Sequence, residues 1–310
     1  MAGGVPAVAA DLFPERIEAA VAEIPDAFLR TPQFAAEHLS AELGRSVVVK
    51  VETLNPIGSF KGRGTTLLTR KLDPGREWVC STAGNFGQGV AFAARERGAT
   101  VQVFVSPAVP AGKVASMRRL GATVTVAERA TAAAREHAAE RDERQLVVDG
   151  LDPAMAEGAG TIGVELARAG PFDVAIVQLG DGALISGVAC WLKSVSPETR
   201  VIGVCASGSP AMARRFAAGR PIADPGTGTI ATAIAIEEPV PASFARVQVF
   251  VDDVVLVSDD DLRAAMTLIG DSLGVLVEPA GAAGVAALQR YGGEIAGDRV
   301  AVVLTGALGT

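Results

Sequence analysis

Short β-branched runs alternate with alanine-rich helical segments along almost the whole chain, and this alternation restricts the fold more than any other feature. Strand patterns fall at 47–51, 78–81, 101–105, 123–126, 145–148, 174–178, 201–205, 254–257 and 300–304. Helical patterns fall at 65–72, 87–97, 113–120, 130–144, 155–168, 184–193, 209–218, 259–270 and 281–291. Strands that each hand over to a helix pair in parallel, because the helix carries the chain back across one sheet face. The expected fold is therefore α/β, with two three-layer αβα domains built on mainly parallel, twisted sheets. No linker marks a boundary, as expected when one domain interrupts another. The compact run of four β/α units at 76–150 is expected to form a small mobile domain, and 1–75 with 151–310 a larger one.

Composition removes several classes of function. A net charge of −7 gives a nucleic-acid partner no electrostatic support. No apolar run approaches the length of a membrane span. Met1 to Ala10 is followed by its first basic residue only at Arg16, which does not fit a signal peptide, so a cytoplasmic location is expected. Cys80, Cys190 and Cys205 lie far apart in apolar settings, as reduced core thiols do. With His38 and His137 as the two histidines, both in charged helical stretches, a His-based triad or metal site is not expected. Asp259, Asp260 and Asp261 fit a helix N-terminus. Arg135 to Arg144 is balanced by Glu136, Glu140, Asp142 and Glu143, the pattern of a solvated face.

Four segments at strand ends carry chemistry. The first, Asn55-Pro56-Ile57-Gly58-Ser59-Phe60-Lys61-Gly62-Arg63-Gly64, places a lysine where a strand passes into a helix. Desolvation there would favour the neutral amine, a nucleophile able to form a Schiff base. The second, Ser81-Thr82-Ala83-Gly84-Asn85, precedes an alanine-rich helix and offers hydroxyls and amides to an anion such as a carboxylate. The third, Gly180-Asp181-Gly182-Ala183-Leu184, has side chains small enough for amides to approach a phosphate, provided the Asp181 carboxylate points away. The fourth is Thr305 at the end of the last strand, with Glu278 upstream.

In their order and spacing these segments resemble the fold type II pyridoxal-phosphate enzymes, the tryptophan synthase β-like family, and within it the threonine/serine dehydratase (ammonia-lyase) branch. The resemblance runs from Arg30-Thr31-Pro32 to Thr305, and 229–235 resembles a family stretch that usually reads TIADGIAV. It implies pyridoxal 5'-phosphate as cofactor, in the cleft between two domains. Lys61 then resembles the lysine that holds the cofactor aldehyde and shuttles the α-proton, and Phe60 the aromatic beside the ring. Asn85 resembles the residue bonding the phenolic oxygen, and Ser81, Thr82, Ala83 and Gly84 the loop that joins it around the substrate carboxylate. Gly180, Asp181, Gly182, Ala183 and Leu184 match the phosphate cup, Thr305 the hydroxyl facing the pyridine nitrogen, and Glu278 an acidic position near the ring. A small amino-acid substrate and a homodimer are implied as well.

A neutral hydroxyl at the pyridine nitrogen makes a shallower electron sink than an aspartate, which favours β-elimination or β-replacement over transamination. Racemisation needs a second proton carrier on the opposite face. The family's racemases place a serine there, where this chain has Ala83. Metal-binding members carry a glutamate where this chain has Cys205, so no divalent metal is expected. The chain stops five residues after Thr305, so no allosteric control through a C-terminal domain is expected. Departures surround the substrate: the phosphate loop is not four glycines, Phe86 stands where dehydratases often have histidine, and Thr232 and Ala233 replace the aspartate and glycine of TIADG.

The expected activity is elimination from threonine, serine or a related β-hydroxy amino acid, giving a 2-oxo acid and ammonia. The alternatives are β- or γ-replacement, as in cysteine synthase or threonine synthase, and a non-catalytic binding protein. A Rossmann dehydrogenase would open on a dinucleotide fingerprint, which this chain lacks.

Overall fold

The structure, a computed structural model, describes residues 11–220, 222, 226, 228–236 and 240–309. Met1 to Ala10, read above for a signal peptide, lies outside them. Among the described residues, ten strands form two sheets. The larger has the order β1 (Gln33–Ala35), β2 (Ser46–Val51), β10 (Arg299–Leu304), β7 (Val174–Gln178), β8 (Arg200–Ala206) and β9 (Asp253–Val257). The smaller has the order β5 (Thr123–Val126), β4 (Val101–Val105), β3 (Glu77–Thr82) and β6 (Arg144–Leu146). Both are parallel apart from the β1–β2 pair. The mainly parallel α/β architecture thus agrees with the reading of the alternation.

Twelve α-helices are described. They are α1 (Pro14–Ala20), α2 (Glu37–Leu43), α3 (Lys61–Thr69), α4 (Asn85–Arg97), α5 (Ala111–Arg119), α6 (Ala130–Ala139), α7 (Ala154–Ala167), α8 (Ala183–Val195), α9 (Ala211–Ala218), α10 (Pro241–Phe250), α11 (Asp259–Leu273) and α12 (Pro279–Tyr291). Central strands are buried throughout, as expected of sheets covered on both faces: all five residues of β4 and of β7 are buried, Gln102 and Gln178 among them. Helices approach one another closely where side chains are small. A Cβ on Gly187 of α8 would lie 2.0 Å from the Ala156 carbonyl oxygen, so α7 and α8 pack nearly backbone to backbone.

Three differences from the expected elements have physical causes. β1 is a three-residue edge strand, too short to show an alternation. The helix expected over 130–144 ends at Ala139, because Arg144 already pairs with Glu77 in the small sheet. α10 was hidden by its β-formers Phe244, Val247, Val249 and Phe250, although Pro241 at its start is a helix signal. The aspartate run behaves as expected: Ser258 and Asp261 form a capping box at the start of α11. Asp259 also reaches back, accepting bonds from Thr229 Oγ1 at 2.5 Å and the Ile230 amide at 3.1 Å. All three cysteines are free and buried, and burial pushes each thiol up to about 12.

Candidate active site

Both sheets turn the carboxyl ends of their strands toward one cavity of about 900 Å³. β2, β10 and β7 are neighbours, and Lys61, Thr305 and the 180–184 loop follow their ends. From the small sheet, the ends of β3, β5 and β6 bring in residues 81–86, Glu128 with Arg129, and Asp149. Ligands of open α/β sheets bind at such carboxyl edges. Of the residues singled out in the sequence, Phe60, Lys61, Ser81, Thr82, Ala83, Gly84, Asn85, Gly180, Asp181, Gly182, Leu184, Glu278 and Thr305 line this cavity; Ala183 does not.

The lysine loop is shaped by one side chain. Asn55 donates to the carbonyls of Glu52 and Ser59 and accepts from the amides of Ile57 and Ser59. The Phe60 amide donates to the Thr305 carbonyl at 3.1 Å, tying the lysine to the end of β10. Lys61 is the first residue of α3, four residues earlier than the periodicity predicts. Gly62 and Gly64, which look like loop residues, sit inside that helix for close packing. A Cβ on Gly62 would lie 2.1 Å from Phe28, and one on Gly64 2.7 Å from the Met155 carbonyl oxygen.

A buried charge network anchors α3. Fully buried Arg63 donates to both oxygens of Glu52, at 2.8 and 2.9 Å, and to both of Glu165, at 2.8 and 3.1 Å. Lys50 adds a 2.5 Å ion pair to Glu165. Burial would raise the Glu165 carboxyl, but Arg63 and Lys50 outweigh it and hold it down to about 2.

The ε-amine of Lys61 differs from expectation. Burial disfavours its charge, but the carboxylates of Asp149 and Asp181 outweigh burial and push its pKa up. Asp149 Oδ2 lies 2.6 Å from Nζ and Asp181 Oδ2 3.6 Å away, so without cofactor the lysine is an ammonium. Phe60 and Phe86 flank it, with ring centres 5.2 and 6.0 Å from Nζ. Nor does Asp181 point away from the cup. Its Oδ1 accepts from the Ala183 amide at 3.2 Å, taking one of the donors at the start of α8, while Oδ2 faces Lys61. The pair splits: burial and the charge of Asp181 push Asp149 up, while Lys61 and local hydrogen bonds pull Asp181 down despite its burial.

On the opposite wall Asn85 Nδ2 donates to Glu278 Oε1 at 2.7 Å, and Lys113 of α5 pairs with Glu278 Oε2. Thr82 Oγ1 accepts from the amides of Gly84 and Gly87, at 2.9 and 3.1 Å, which fixes the turn into α4. Sequence reasoning missed Asp149 and Lys113, which carry no local motif. Arg135 and Glu136 are exposed, as expected of a solvated face, and also reach the cavity rim.

The arrangement suits an enzyme with an aldehyde-bearing, phosphorylated cofactor: one amine, a small-residue loop at a helix N-terminus, and a strand-end hydroxyl share a cavity large enough for both such a cofactor and a substrate. The chain belongs to the family of pyridoxal-phosphate dependent enzymes, whose model matches residues 24–306. It is 33% identical to the L-threonine ammonia-lyase of Thermotoga maritima, across 94% of this chain and 74% of that protein. It is 36% identical to the phenylserine dehydratase of Ralstonia pickettii, across 89% of this chain and 87% of that one. Among solved structures, the processed form of threonine deaminase isoform 2 from Solanum lycopersicum superposes with a TM-score of 0.87 at 27% identity, covering 94% of this chain and 84% of that one. Pyridoxal phosphate is the cofactor, and the donor set present fits it, with Asp149 and Asp181 as acidic additions.

Proposed function

We propose that this protein is an ammonia-lyase that eliminates water from threonine, serine or a related β-hydroxy amino acid, releasing a 2-oxo acid and ammonia. The observation that carries the reading is the placement of one ε-amine, Lys61 Nζ, in the cavity that the 81–85 and 180–184 loops both line. The names of the Thermotoga and Ralstonia relatives support the same reaction. Pyridoxal phosphate, when bound, supplies the electron sink that acidifies the Cα–H bond of an amino acid.

The chain's own groups do the rest. Lys61 Nζ would hold the cofactor and, as a free amine, would take the Cα proton as a general base. Ser81, Thr82, Ala83, Gly84 and Asn85 hold the substrate carboxylate at the start of α4. Gly180, Asp181, Gly182, Ala183 and Leu184 would hold the phosphate, Thr305 would offer its hydroxyl to the pyridine nitrogen, and Phe60, Asn85 and Glu278 would orient the ring. Ala83 offers no proton to the opposite face, so inversion at Cα is disfavoured.

The test is to incubate the loaded enzyme with L-threonine, L-serine and phenylserine, with and without a thiol. Ammonia and 2-oxo acid in equal amounts, without D-serine, are expected. A thioether product would overturn the reading in favour of β-replacement.

Three further features belong to this reading. Residues 76–150 are read as a small mobile domain, supported by the separate sheet formed by β3 to β6. A homodimer is supported by exposed Leu276 and Leu308, joined by a backbone hydrogen bond. Sedimentation as a monomer at micromolar concentration would refute it. A cytoplasmic location is supported by three unpaired cysteines and by the absence, among the described residues, of any helix long and apolar enough to cross a membrane. Export of the full-length protein in a fractionated cell would refute that.

A further inference from the structure

We propose that Asp149 is the positioning residue for Lys61: its carboxylate receives the ε-ammonium whenever Nζ is free of the cofactor, and so sets how readily that amine attacks an aldehyde or accepts a proton. The proposal rests on the reading of Lys61 as the cofactor-bearing lysine.

The geometry is specific. Asp149 Oδ2 makes the short contact to Nζ, at 2.6 Å, and Asp149 Oδ1 is buried with no hydrogen-bond partner among the described residues. The carboxyl is 28% exposed, but it faces the cavity, where field lines are poorly screened. Its placement is built in. Arg246 of α10, itself fully buried and paired with Asp11, donates to the carbonyls of Gly150 and Leu151, at 3.2 and 3.3 Å, directly after Asp149. One turn earlier in α10, Ser243 donates to the Asp181 carbonyl. One helix therefore clamps the segments carrying both acids.

The two acids are not equivalent. Asp181 lies within the loop reserved for the phosphate, whereas Asp149 comes from the end of β6 and stays beside Nζ. The other charged groups of the cavity are committed elsewhere or lie at its rim: Glu278 is paired with Lys113, while Glu128, Arg129, Arg135 and Glu136 are exposed. Cys80, on β3 near Asp149, is kept neutral as a thiol by burial and by the Asp149 charge. To capture the cofactor, Lys61 would give up one ammonium proton, its freed lone pair would bond the aldehyde carbon, and the two remaining amine protons would leave with the carbonyl oxygen as water. Asp149 opposes the first of these events. During turnover the same contact receives the ammonium formed when Lys61 takes the Cα proton, which strengthens the lysine as a base.

The test is the rate at which the visible band of bound cofactor appears when cofactor-free protein meets excess pyridoxal phosphate, across a pH series. In Asp149→Asn the rate profile is expected to move to lower pH, with capture faster than in the parent near neutrality. Asp149→Glu is expected to restore the parent profile, and Asp149→Ser repeats the measurement should the Asn variant not fold. A variant profile that superimposes on the parent, or equal shifts for Asn and Glu, would overturn the proposal. A parent that forms no band overturns both this proposal and the Lys61 reading. A parent that forms the band yet eliminates nothing overturns only the assigned reaction.

Discussion

Lys61→Ala is expected to abolish the visible band of bound cofactor and to lower kcat/KM by at least about 10³-fold, within the range contributed by a positioned general base. The loss has two sources, since the same nitrogen anchors the cofactor and takes the Cα proton. A second signature follows from the surroundings. Without the ammonium, Asp149 and Asp181 are left as two carboxylates in a poorly solvated cavity, with nothing to offset their repulsion. Asp149 already sits above the ordinary carboxylate range, so its folded form binds a proton more readily than its unfolded form. Such a group adds stability at low pH, and that stability fades as the pH rises through the folded-state pKa. The variant's melting temperature should therefore climb more steeply than the parent's as the pH is lowered from about 8 to about 6. Retained turnover with a retained band would remove Lys61 from the mechanism.

Arg63→Met is expected to cost about 3–5 kcal/mol of stability, the usual consequence of leaving buried charges without their partner. Arg63 donates to Glu52, Glu165, Thr31 and Thr161, so its loss strips the network behind α3 and leaves Lys50 as the cation facing both glutamates. The effect has a pH signature of the opposite sign. Glu165 is held down to about 2 against an ordinary 4.5, so its contribution is present above 4.5 and is lost as the pH falls toward 2. The gap between parent and variant in a urea midpoint should thus narrow over that interval. A constant gap would mean that Arg63 acts through packing alone.

Periodicity made nine of the strands legible, the clearest being the apolar β-branched runs of β2, β4, β7, β8 and β10 in doubly covered sheets. It left out β1, α1, α2 and α10, where three to ten residues pack for tertiary reasons without a clear pattern. The start of α3 was misplaced because glycines at 62 and 64 have poor helix propensity, yet Phe28 and Met155 leave no space for anything larger. The loops at the ends of β2, β3, β7 and β10 were legible because close approach of backbone to ligand demands glycines and hydroxyls in a row. The charge state of Lys61 was not. It depends on Asp149, 88 residues away, and no run of neighbours announces that meeting. The nearness of exposed Arg135 to the cavity was hidden for a related reason: sequence balance in α6 says nothing about which turn faces the rim.

The three native thiols have a practical consequence. Cys80, Cys190 and Cys205 are enclosed and held as unreactive SH groups, so alkylating dyes should pass them by under native conditions. A single new cysteine at exposed Glu136 on α6 would then be the one labelled position, with no need to delete the native three. A fluorophore there would report directly on whether the smaller sheet swings toward the larger one as ligand enters. A signal unchanged by saturating cofactor and amino acid would argue for a cleft of fixed width.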